Sequence, residues 1–150
     1  MKSRAESQAA VGRALLDAGL KHTFLGVTDE FGPMWQLGFD LEGGGAAQLV
    51  LTLNDHFLIA SHVGPTVPPE AVVYRALLEI NATLAIAKLG LNASDHVTIT
   101  ATVSLDDVDA GHVRELFGAM LTAIHEARSA PARAAEIANR QPTGADAGSR

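Results

Sequence analysis

The chain has no cysteine among its 150 residues. That excludes disulfides, thiolate catalysis and cysteine-based zinc sites together, and it fits a cytoplasmic protein. An excess of positive charge is also missing. Eleven Lys and Arg stand against seventeen Asp and Glu, a formal charge of −6, so the basic stripe that a general nucleic-acid binder needs to displace phosphate counterions is absent. No apolar run approaches the roughly 18 residues of a membrane span. The basic start Met1-Lys2-Ser3-Arg4 is not followed by the apolar stretch of a signal peptide. No nucleic acid, no membrane and a cytoplasmic location are therefore the expectation. Charged residues make up only 19% and hydrophobic ones 47%, which describes a globular chain with room for one core of roughly 120–130 residues.

Constellations for chemistry are equally scarce. The six histidines, His22, His56, His62, His96, His112 and His125, show no His-x-His, His-x-x-x-His or His-Glu-x-x-His spacing, so no metal site is expected. Ser61 and His62 are neighbours in an extended stretch, where adjacent side chains point to opposite faces, which argues against a dyad. Gly43-Gly44-Gly45 lacks the lysine and the helix start of a phosphate cradle and reads as a turn. Asp106, Asp107 and Asp109 precede a helical pattern, where capping and dipole complementation explain them. No enzyme and no cofactor are expected.

What is present is periodicity. Ala5 to Gly19 reads as a weakly apolar helix that leans on the domain, with Ser3 and Glu6 spaced as a capping box. Four strands follow: His22 to Thr28, Met34 to Leu41, Ala46 to Leu53, and Phe57 to Val63. The second is the clearest, with Trp35, Leu37, Phe39 and Leu41 alternating against Gln36, Gly38 and Asp40. Pro68 and Pro69 open a central helix carrying Val72, Val73, Ala76, Leu77, Ile80 and Leu84. Ile86 to Leu91 and His96 to Val103 then form a hairpin around Asn92-Ala93-Ser94-Asp95. Val97, Ile99, Ala101 and Val103 alternate against Thr98, Thr100 and Thr102, as in a sheet with one wet side. Asp109 caps a last helix with the apolar stripe Val113, Leu116, Phe117, Met120, Leu121 and Ile124. The order is α-β-β-β-β-α-β-β-α, an α+β arrangement of a twisted antiparallel sheet covered by helices. Residues 1–128 form the domain. Residues 129–150 read as an alanine-rich, largely flexible tail, in which Ala132 to Asn139 could add a marginal helix.

The sequence of elements, and within it Leu77-Leu78-Glu79-Ile80-Asn81, Leu89-Gly90-Leu91, Ser104-Leu105 and the aspartates before the last helix, resembles the secretion-chaperone-like superfamily. That group holds the class I type III secretion chaperones and the YbjN-like proteins of bacteria, described as sensory transduction regulators. Four strands before the central helix fit the YbjN-like branch better than the three of a standard secretion chaperone. The residues after Arg128 belong to neither pattern.

The resemblance implies a homodimer that binds another polypeptide without catalysis, holding an extended segment along apolar patches and strand edges. For the dimer or partner interface the uncharged candidates are Leu78, Ile86, Leu89, Leu91, Thr98, Thr100 and Thr102. A second reading is a small-ligand sensor or an unrecognised enzyme, with a pocket between sheet and helices lined by Trp35, Phe39, Phe57 and Phe117.

Overall fold

A computed structural model describes residues 2–140. Its elements run α1 (Arg4–Asp17), β1 (Thr23–Thr28), β2 (Gly32–Asp40), β3 (Ala46–Leu53), β4 (Phe57–Thr66), α2 (Ala71–Thr83), β5 (Lys88–Leu91), β6 (His96–Ser104), α3 (Ala110–Arg128) and α4 (Ala130–Arg140), with one 3-10 turn, Leu105–Asp107, before α3. The expected α+β order is present, extended by α4. All six strands form one sheet in the order β1-β2-β3-β4-β6-β5, with every neighbouring pair antiparallel. The strands before α2 meet those after it along β4 and β6, from Phe57 opposite Ser104 to Val63 opposite Thr98.

Because side chains alternate along a strand, this register sorts the sheet into two faces. Trp35 and Leu37 of β2, Leu49 and Leu51 of β3, Leu58 and Ala60 of β4, and Val97, Ile99 and Ala101 of β6 lie buried under the helices. Val11 and Leu15 of α1, Ile80 of α2 and Met120 of α3 meet them, each fully buried. A buried Leu or Ile contributes about 1.5–3 kcal/mol relative to exposure, so this layer is the main source of stability. The weak apolar face of α1 is nevertheless fully buried at Val11 and Leu15, which lie one turn apart on a single stripe and belong to the core cluster. The opposite sheet face, with Gln36, Val50, Thr52, Ile59, Ser61 and Thr98, remains half-buried, and Gln48, Thr100 and Thr102 there are exposed.

Local chemistry sets the ends of the elements. Ser3 Oγ accepts from Glu6 N at 3.2 Å and Glu6 Oε2 accepts from Ser3 N at 2.6 Å, a complete capping box. Asp109 Oδ1 accepts from His112 N at 2.8 Å and so caps α3. Gly43, Gly44 and Gly45 all have positive φ, which the β2–β3 turn requires. Gly32 opens β2 at φ +67°, and a Cβ there would lie 2.8 Å from the Leu53 carbonyl oxygen, so both conformation and space call for glycine.

Several boundaries differ from expectation: β2 begins two residues earlier, at Gly32, and β4 runs three residues further, to Thr66. β5 begins at Lys88, leaving Ile86 in the connection from α2. The folded body also continues past Arg128. Alanine is the strongest helix former, and Pro131 sits in the first turn of α4, where a proline is tolerated. Ala130, Ala134 and Ile137 recur at helical spacing and are buried, chiefly against α2. Arg133 Nη2 meets Glu126 Oε2 of α3 at 3.3 Å. Residues 130–140 of the expected tail are therefore a packed helix, and the remainder of that tail lies outside the described residues.

Candidate functional site

The seven candidate interface residues do not form one surface. Leu89 pairs with Ile99 and Leu91 with Val97, which puts both leucines on the helix-covered side of the sheet. Thr98 and Thr100 pair with Gly90 and Lys88 and face the other way, as does Thr102 opposite Ile59 of β4. Leu78 projects from α2 into solvent, and Ile86 is exposed in the loop before β5. Each strand's periodicity identified its own inside, but the leucines follow the buried set of β6 and not its threonines.

The sheet has two edges, and they differ in kind. β5 is only four residues long, and the Leu89 N–H donates to Asn81 Oδ1 at 2.9 Å. This bond joins the end of α2 to the strand. Lys88 Nζ donates to the Leu84 carbonyl at 2.7 Å. A short edge with a side-chain cap and a lysine is poorly suited to pairing with another chain.

β1, at the far edge, is six residues long and pairs only with β2. Its surroundings are apolar: Phe24 is 45% exposed, Leu25 49% and Val27 60%, with Phe31 in the next turn at 52% and Leu16 of α1 at 71%. A bulge between Phe24 and Gly26 locally twists the strand, and Gly26 takes φ +103° there. Beside it, Ala5, Ala9 and Gly12 of α1, with Leu16, His22, Phe24 and Trp35, enclose a groove of about 380 Å³. The Phe24 ring lies 5.4 Å from that of Trp35. An extended peptide on this edge would find unpaired backbone groups and apolar recesses for alternate side chains. Sequence patterning did not single out Phe24, Leu25, Val27, Phe31 or Leu16. The adjacent pair Phe24-Leu25, which no regular strand can bury on one face, was the signal.

The four aromatics expected to line a pocket are dispersed. Trp35 is in the core, Phe39 and Phe117 stack edge to face at 5.3 Å, and Phe57 is exposed beside His56. A larger groove, about 790 Å³, opens elsewhere, between the ends of β3 and β4, the start of α2, and α4. Among the described residues no three His, Asp or Glu side chains gather as metal ligands. Ser61 and His62 lie on opposite faces, Ser61 paired with Thr100 and His62 with Ile99. His112 Nδ1 lies 2.9 Å from Asp109 Oδ1. The His112 backbone N–H and then its ring hold the Asp109 carboxyl below its ordinary pKa, and the bond to Asp109 holds His112 above its own. This pair serves the α3 cap. No described helix is long and apolar enough to cross a membrane.

Comparison with known proteins follows the architecture. Residues 13–130 match the pattern of the YbjN family, described as “Putative bacterial sensory transduction regulator”. Among solved structures, the fold is similar to a chain of the heterodimeric ExoU–SpcU complex from the type III secretion system of Pseudomonas aeruginosa. The TM-score is 0.54 at 16% identity, covering 78% of this chain and 93% of that one. No curated protein matches.

Proposed function

This chain belongs to the YbjN family, and on that premise we propose that it is a non-enzymatic protein-binding module that takes an extended polypeptide segment as an added strand on β1. The observation that carries the reading is the contrast between the edges. β5 is short and capped by Asn81, whereas β1 presents a full strand flanked by Phe24, Leu25, Val27, Phe31 and Leu16. Main-chain hydrogen bonds would supply affinity, and the groove beside α1 would select side chains. The related fold in the ExoU–SpcU heterodimer is consistent with such a role.

In the same reading the protein works in the cytoplasm as a homodimer, joined through the sheet face that bears Thr98, Thr100 and Thr102. Gln36, Gln48, Val50, Thr52, Ile59 and Ser61 share that face, and its charged residues, Asp40 and Lys88, lie toward its margins. An uncharged, self-complementary patch suits a two-fold interface. Light scattering across a concentration series tests the dimer. The wild type should show twice the chain mass and Thr100→Glu the single-chain mass; a monomer throughout would refute it. Leu78, Ile86, Leu89 and Leu91 stay outside this interface in the proposal, being on α2, in the loop, or on the helix side of the sheet.

A further inference from the structure

The 790 Å³ groove has no β1 residue in its lining and shares none of its lining residues with the groove beside α1. Its walls are apolar and small: Val67 and Pro68 before α2, Val72 and Val73 within it, and Pro131, Ala134, Ala135 and Ala138 along α4. Such a volume is in the range of small-molecule sites. Its polar groups are few and lie at defined places. Arg128, at the end of α3, donates from Nη2 to the Gly44 carbonyl at 3.3 Å, which holds the guanidinium at the mouth. Among the described residues it meets no carboxylate within ion-pair distance. His62 Nδ1 lies 2.9 Å from the Gln48 carbonyl. A carbonyl only accepts, so Nδ1 carries the proton and Nε2, near Gly64 on the lining, is left for a ligand. Glu70 is the one acid among the described lining residues, and it sits at the N-terminus of α2, where the helix dipole offsets it.

We propose that this groove binds a free, medium-chain fatty acid, the alkyl chain lying between α2 and α4 and the carboxylate on Arg128. Charge complementarity selects the head group: a guanidinium at the mouth of an apolar groove, with no carboxylate partner among the described residues, matches a monoanion with an apolar body. Residues 141–150, Gln141-Pro142-Thr143-Gly144-Ala145-Asp146-Ala147-Gly148-Ser149-Arg150, carry no apolar side chain larger than proline and so supply no alkyl-like body.

Calorimetric titration of the full chain with octanoate, decanoate and dodecanoate below their micelle concentrations tests this, alongside the corresponding alkanols and backbone-amide NMR shifts. Affinity should rise about fourfold per added methylene until the groove is full. Arg128→Gln should weaken the carboxylates about 10- to 100-fold and leave the alkanols unchanged. Ala135→Trp, at an exposed position on the wall, should abolish binding of both while the unfolding midpoint holds. Equal loss of acids and alcohols in Arg128→Gln, affinity independent of chain length, or no binding by the wild type would overturn the proposal. So would shifts of the groove amides on concentrating the protein alone, which would assign the groove to a second copy.

Discussion

Asn81→Ala removes one hydrogen bond and tests how the end of α2 holds the sheet. Asn81 Oδ1 accepts from Leu89 N at 2.9 Å at a half-buried position. Alanine leaves that N–H without its partner, and an unsatisfied buried donor costs about 1–3 kcal/mol. Partial access to water puts the expected loss in the lower half, about 1–2 kcal/mol. With a urea slope of about 2 kcal/mol/M, the midpoint should fall by about 0.5–1 M at unchanged slope. Thermal unfolding should move down by roughly 2–4 °C for each kcal/mol lost. Hydrogen exchange locates the effect, since the Leu89 amide should lose protection while Ile99 on β6 keeps it. Asn81→Asp retains an acceptor and should lose less. If Asn81→Ala unfolds at the wild-type midpoint with Leu89 equally protected, the bond does not hold β5 and the contrast between the edges loses its basis.

Three further outcomes follow from particular contacts. Gly32→Ala should destabilise by more than about 1 kcal/mol in urea, because the added Cβ meets the Leu53 carbonyl and φ is +67°; a neutral result would refute that geometry. Ile137→Ala should cost about 2–4 kcal/mol if α4 is part of the folded body, and no measurable change would return the helix to the tail. The α3 cap gives a pH signature. Asp109 is depressed, so its contribution is present above the ordinary carboxylate pKa and is lost as pH falls through its lowered value. His112 is raised, so its contribution is present below the ordinary imidazole pKa and is lost as pH rises through its raised value. The pair is therefore most stabilising between about pH 4 and about pH 6.5. The gap between the stability curves of wild type and Asp109→Ala should be widest there, closing as pH falls through the lowered Asp109 value and narrowing only by the imidazolium share as pH rises through the raised His112 value, because the ionised carboxylate still caps the helix; parallel curves would contradict the coupling.

Most of the fold was legible because its elements have strong periods. Trp35, Leu37 and Phe39 alternate over the middle of β2, and Val97, Ile99 and Ala101 over β6, and both stretches are strands facing the core. The α4 helix was harder to read, since two of its three buried residues are alanines, which look the same in a packed helix and a small-residue tail. The candidate surface was the least legible. Which face Leu89 and Leu91 share depends on hairpin register, which neither strand's pattern contains. The β1 edge is exposed because of the strand order of the sheet, a property of long-range pairing. Its residues carry only a local hint, an adjacent Phe24-Leu25 interrupted by a bulge.

In the proposed function, β1 is the docking edge. The most direct test of this captures polypeptides from the host cell with four baits: wild type, Leu25→Lys, Val27→Lys and, as a control at the β5 end, Ile86→Lys. The lysines sit at exposed positions, so the unfolding midpoints should match, while charge along an edge blocks strand addition. Strand addition on β1 requires a polypeptide held by wild type and Ile86→Lys and lost from both β1 variants, with the β1 amides gaining exchange protection in the complex. A partner retained by the β1 variants and lost from Ile86→Lys would contradict it.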